Sequence, residues 1–171
     1  MVKTVASEKI RHADGDLAEM IAVGAVKFAI LFTGRLTDTA FDIDRATNLE
    51  GDSGPYLQYT HARISSMLEK AFDQSLVPKY QEGIEPVYYV ERLAYRFPEI
   101  VKSSLDEYAP NHIATYLIEL ARAFNAFYAE QVIIDAEHPE ISAHRLALAK
   151  SVQTILSNGL ALLGIKAPHK M

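Results

Sequence analysis

Asn48-Leu-Glu-Gly-Asp-Ser-Gly-Pro-Tyr-Leu-Gln-Tyr-Thr-His-Ala-Arg63 runs from a tight loop into a helix. Gly51 and Gly54 permit positive φ, while Asp52 and Ser53 carry short side chains that bond nearby backbone. Pro55 suits a first helical position, with Ser53 or Gly54 as the N-cap. Beyond it, Leu57, Ile64, Leu68 and Ala71 recur at helical spacing and form a face to be buried. Tyr56, Tyr59 and Arg63 fall on another face, one above the other. Two phenol rings and a guanidinium suit unstacked nucleotide bases: rings and arginine planes stack on them while the polar tips hydrogen-bond. The same spacing also describes an aromatic stripe packed into a core, so periodicity alone leaves both readings open.

Outward from this stretch the pattern is helical throughout. A helix is expected from about Asp16 to Phe32, with Leu17, Ile21, Gly24, Phe28 and Leu31 inward and Gly34 as its stop. The first dozen residues show neither period nor cap. Residues 34–54 are irregular, and a loop of that length is functional or packed by its own side chains. The central helix is expected to reach about Phe72, before Pro78 and Gly83 mark a linker. Pro86 opens a helix through Val90 and Leu93, Pro98 interrupts it, and a short helix carries Ile100, Val101 and Leu105. Pro110-Asn-His restarts the chain into a long amphipathic helix bearing Ile113, Leu117, Leu120, Phe124 and Tyr128. Pro139 lies in the next connection, and the last helix presents Leu148, Val152, Ile155, Leu156 and Leu163 before closing at Gly164. The fold class read from this pattern is all-α, a helical bundle.

Composition narrows the functions. The chain has 171 residues, 49% of them hydrophobic, enough for one domain with a substantial core. Cysteine is absent, which removes disulfides, thiolate metal sites and a cysteine nucleophile. A net charge of −5 argues against a broad phosphate-binding surface, so any RNA contact must rest on a local pocket for single-stranded bases. No secretory signal opens the sequence, and the apolar run from Ala22 to Phe32 is interrupted by Lys27 and too short to span a bilayer. The six histidines include no pair at metal-ligand spacing, so no metal site is expected and His61 reads as structural. Gly51-Asp-Ser-Gly54 lacks the Gly-Lys-Ser/Thr ending of a phosphate loop. A serine nucleophile would need a histidine and an acid within reach.

The stretch Glu50 to Arg63 closely resembles the start of the anticodon-binding domain, of the DALR type, in arginyl-tRNA synthetases. The resemblance continues in Val23-Gly-Ala-Val-Lys-Phe28, Phe41-Asp-Ile-Asp44, Tyr116-Leu-Ile-Glu-Leu-Ala-Arg-Ala-Phe-Asn-Ala-Phe-Tyr128 and Asn158-Gly-Leu-Ala-Leu-Leu-Gly-Ile-Lys-Ala-Pro-His-Lys-Met171. These segments keep the family's order over nearly the whole chain. The resemblance implies that the loop Asn48 to Ser53 and the helix Tyr56 to Arg63 lie against the anticodon loop of an arginine tRNA. It makes Tyr56, Tyr59 and Met171 the leading RNA contacts, with Asn48, Asp52 and Arg63 second, and Asn125 and Tyr128 more suited to packing. Phe28 stands where the family commonly has tyrosine. His169-Lys170-Met171 replaces a frequent Glu-Arg-Met ending, which keeps a charge at position 170 without bidentate geometry.

The His-Ile-Gly-His-like and Lys-Met-Ser-Lys-Ser-like motifs of class I synthetases are missing. The resemblance therefore implies a C-terminal piece in which residues 1–54 lead in from a catalytic domain of the same parent chain and 55–171 bind RNA. It implies a cytoplasmic enzyme whose ATP and magnesium belong to that other domain, with no cofactor or catalytic residue here. A helical protein-interaction module without an RNA role is the alternative. The related domain of the cysteinyl enzyme is a third reading, disfavoured by the Leu163-Gly-Ile-Lys-Ala-Pro168 ending. Arginine-dependent ATP–pyrophosphate exchange by the purified chain is expected to stay at background, since no motif here supplies an ATP site.

Overall fold

Ser53 starts the helix on which the other long helices converge. Its hydroxyl oxygen accepts the Tyr56 N–H at 3.1 Å, and Pro55 sits inside the first turn. Such a cap stabilises a helix by about 1 kcal/mol. The computed structural model describes residues 1–9, 15–38, 40–84, 86–135 and 137–171. Among these the elements are α1 (Val2–Lys9), α2 (Gly15–Phe32), α3 (Ile43–Ala46), α4 (Gly54–Asp73), α5 (Tyr89–Tyr95), α6 (Phe97–Asp106), α7 (Asn111–Glu130) and α8 (Pro139–Leu162). No strand occurs among the described residues, and the all-α bundle is as the pattern indicates.

Helix α4 packs against α2, α7 and α8, and α7 also packs against α2 and α8. The main core lies among these four helices. Phe28 comes from α2, Leu57 and Ile64 from α4, Leu117, Leu120 and Phe124 from α7, and Leu146, Leu156 and Leu160 from α8, all almost wholly shielded from water. Truncating one such leucine to alanine typically costs 2–5 kcal/mol. Helices α5 and α6 cover the outer side of α7, and α1 lies on α2.

Several local expectations change in the structure. The first residues form a helix, α1, held to α2 by a 2.9 Å ion pair between Lys3 and Glu19. A helix this short gains its order from packing, which periodicity in eight residues does not reveal. Residues 10–14 lie outside the described ones. The irregular segment contains one helical turn, α3, because the Asp42 carboxylate accepts the Arg45 N–H at 3.0 Å. Helix α5 begins at Tyr89, three residues past Pro86, where Glu91 reaches back to the Tyr88 N–H. Pro98 and Pro139 open α6 and α8, positions where a missing N–H costs nothing. Leu105 is exposed, so the inward face of α6 is narrower than its apolar residues suggest.

The crossing of α2 over α4 is glycine-dependent. A Cβ on Gly54 would lie 2.5 Å from the Gly24 carbonyl oxygen, and one on Gly24 would lie 2.7 Å from the Gln58 side chain. The first obstacle is backbone and cannot swing aside. Gly54→Ala should therefore lower the unfolding free energy by about 1–3 kcal/mol, the range for overpacking. Gly15→Ala, which meets nothing within 4 Å, should leave it nearly unchanged in the same urea titration.

Candidate nucleic-acid interface

Polar residues on the buried side of α4 reach for the backbone of the C-terminal segment. Helix α8 ends at Gly164, whose φ of +67° reverses the chain, and the Ile165 N–H closes back on the Leu160 carbonyl at 2.8 Å. Lys27 of α2 holds the Gly164 carbonyl at 2.5 Å. Gln58 donates its Nε2–H to the Lys166 carbonyl at 2.8 Å, and His61 Nδ1 lies 2.8 Å from the Pro168 carbonyl. With a carbonyl as partner, that nitrogen must carry the hydrogen. Farther along, Lys170 pairs with Glu69 at 3.2 Å. Residues 166, 168 and 170 thus meet α4 at 58, 61 and 69 in order. Met171 is thereby brought onto the folded surface, half-buried.

A groove of about 360 Å³ opens where this tail meets α4 and α7. Tyr59, Arg63 and Lys70 line it from α4, Tyr128 from α7, Ile134 from the connection that follows, and Met171 from the tail. The Arg63 guanidinium carbon lies 4.4 Å from the centre of the Tyr128 ring, a cation–π arrangement that holds its plane against an aromatic face. Both charged side chains lining the groove, Arg63 and Lys70, are cationic although the chain carries −5 overall. Tyr59 is 42% exposed, accessible to a ligand in the groove.

The groove gathers three of the six singled-out residues: Tyr59, Arg63 and Met171. Tyr56 sits elsewhere. Its ring packs partly buried against the main core, and its hydroxyl accepts a hydrogen bond from Asn125 Nδ2 at 2.9 Å. The pull of α7 on that hydroxyl separates Tyr56 from the face it shares by spacing with Tyr59. Asn48 and Asp52 lie in the loop before α4, outside the groove lining. Asn48 Oδ1 accepts the Glu50 N–H at 3.1 Å, and its carbonyl accepts the Ser53 hydroxyl. The Asp52 carboxylate meets Arg122 of α7 at 2.6 Å. Leu49, from the same loop, packs on the small cluster of Ile21 and Ala22 that Met171 also touches.

Ile134 and Lys70 were not among the residues singled out. Lys70 lies seven positions beyond Arg63 on the same helix, and that two-turn spacing was a signal available for it. Ile134 follows α7 in an irregular connection, where no period announces a shared surface. Among the described residues no group of three or more His, Asp or Glu side chains converges to hold a metal ion, and no helix is long and apolar enough to cross a membrane.

Comparison with known proteins is consistent with this geometry. The family model for the DALR anticodon binding domain matches residues 57–171. The arginine–tRNA ligase of Ligilactobacillus salivarius (strain UCC118) is 43% identical over 157 residues, covering 91% of this chain and 28% of the relative. That of Enterococcus faecalis (strain ATCC 700802 / V583) is 38% identical over 98% of this chain and 31% of the relative. Arginyl-tRNA synthetase of Thermus thermophilus superposes with a TM-score of 0.80 at 34% identity, covering 99% of this chain and 30% of that one. The Plasmodium falciparum enzyme gives 0.77 at 26% identity, over 98% and 30%. The chain spans under a third of the length of the relatives it matches.

The tail's anchorage has a pH signature. Burial holds the His61 pKa below its ordinary value of 6.5, with smaller contributions from His169 and Lys150; the Pro168 hydrogen bond works the other way. The folded state therefore prefers neutral His61, while the unfolded chain takes up the proton more readily. Stability present above about pH 6.5 is lost as pH falls toward the folded-state value. The urea midpoint should fall between pH 7.5 and 5.5, and His61→Asn, which keeps a side-chain N–H donor, should flatten that slope.

Proposed function

The chain belongs to the DALR anticodon-binding domain family, and on that premise we propose that it is the anticodon-binding part of an arginine–tRNA ligase. In this reading the groove between α4, α7 and the tail receives unstacked bases of an arginine-tRNA anticodon loop. The observation that carries it is the convergence of Tyr59, Arg63, Tyr128 and Met171 on one groove whose two charged side chains, Arg63 and Lys70, are cationic. An aromatic face and a guanidinium plane accept any base by stacking, and the methionine offers a polarisable contact. Arg63 and Lys70 supply local attraction for phosphate on a chain that is acidic overall. Tyr56 contributes from the neighbouring turn, and Asn48 and Asp52 shape the loop that flanks the site.

Attachment of arginine to the tRNA, with ATP and magnesium, falls in this reading to the parts of the ligase outside these residues. The intact protein would be cytoplasmic. Residues 1–54 serve as the lead-in and 55–171 as the RNA-binding unit, a division supported by the start of the family match at residue 57. The alternative, an interaction module without RNA, is not favoured, since that match extends through the groove-lining residues to Met171.

Binding of a labelled arginine-tRNA anticodon stem-loop, followed by anisotropy, tests the reading. Tyr59→Ala should weaken it by about 1–3 kcal/mol, the worth of one base–aromatic stack, with the melting temperature held. A variant that melts early yet binds RNA unchanged would make Tyr59 a packing residue and remove the groove from the RNA path.

A further inference from the structure

We infer that the ion pair between Asp52 and Arg122 is a positioning device for the RNA site: Arg122 pins the loop before α4 to α7, and Asp52 works through Arg122 without touching RNA. The inference rests on the anticodon-binding reading of the groove.

Three observations lead to it. First, the Asp52 carboxylate is engaged, with Arg122 Nη2 at 2.6 Å across seventy residues of sequence. A carboxylate bound in this way has lost much of its freedom to turn toward a base. Standing unpaired, it would repel the phosphates of an approaching strand.

Second, the loop carries its own internal bonds, and Arg122 adds a tie to α7. The Ser53 hydroxyl donates to the Asn48 carbonyl, Asn48 Oδ1 takes the Glu50 N–H, and Gly51 turns with φ of +94°. These bonds shape the loop but do not fix it to the bundle. Arg122 does so on one side, and on the other Leu49 packs beside Met171 on the Ile21–Ala22 cluster.

Third, each anchor leads to an element that contributes to the groove lining. Arg122 shares α7 with Tyr128, and Leu49 shares its cluster with Met171. A loop held at both points links α7, which carries Tyr128, to the cluster on which Met171 rests. An exposed ion pair adds little to global stability, so the pair's consequence should be read in binding geometry.

Stem-loop binding by the 171-residue chain tests this with Asp52→Asn, Arg122→Gln, and the exchange Asp52→Arg/Arg122→Asp. Each single substitution should raise Kd roughly three- to tenfold, within the range of coupling between contacting residues. The exchange should recover most of the loss, and melting temperatures should stay within a few degrees throughout. A loss in Asp52→Asn that Arg122→Gln does not share, and that the exchange does not rescue, would make Asp52 a direct RNA contact and overturn the inference. Unchanged binding in all variants would overturn it too, as a surface pair without consequence. If the unsubstituted chain fails to bind the stem-loop, the anticodon-binding reading falls, and the positioning role with it.

Discussion

Helix α4 buries an amide and an imidazole whose N–H groups are met by backbone carbonyls of the tail. Gln58 and His61 are almost completely shielded from water, and an unpartnered polar group in such a place costs about 1–3 kcal/mol. Lys166 and Pro168 supply partners for the two N–H donors, while Gln58 Oε1 stays buried and unpaired. The tail is therefore a structural necessity for α4, and α4 in turn holds the tail. Gly24 and Gly54 complete the arrangement, since the α2–α4 crossing brings a backbone carbonyl to where a Cβ would stand.

That reciprocal anchorage explains how an acidic domain can present a site suited to nucleic acid. Counterion release over a broad basic face is not available at a net charge of −5. What the fold assembles instead is local. An exposed phenol, a guanidinium fixed on a second ring, a lysine two turns on, and a methionine delivered by the docked tail share one groove. Each side chain is ordinary on its own. In the proposed reading, bases removed from a stack meet flat faces and a polarisable side chain in this groove.

Two carboxylates are paired across elements as well. Lys170 holds Glu69 and Arg122 holds Asp52. Surface pairs of this kind contribute little to folding. In the role inferred above, the Asp52–Arg122 pair ties the loop to α7.

Local sequence patterns set the helical class, a loop-to-helix start at Ser53 or Gly54, and the buried stripe through Leu57, Ile64 and Ala71. All three follow from local rules of spacing and capping that act within a few residues. The motifs through Glu50 to Arg63 and Tyr116 to Tyr128 also pointed to the family that the comparisons identify. Only the tertiary structure decided which candidates share a surface. Tyr56 and Tyr59 are three residues apart on one helix, yet Asn125 draws the first toward α7 while the second lines the groove. Arg122 and Asp52 stand seventy positions apart, and Ile134 reaches the groove from a connection without period. The order of Lys166, Pro168 and Lys170 along α4 is likewise set by buried donors and a carboxylate on another helix. Such pairings are products of three-dimensional packing, and the spacing of residues along one helix carries no record of what a second helix brings to meet them.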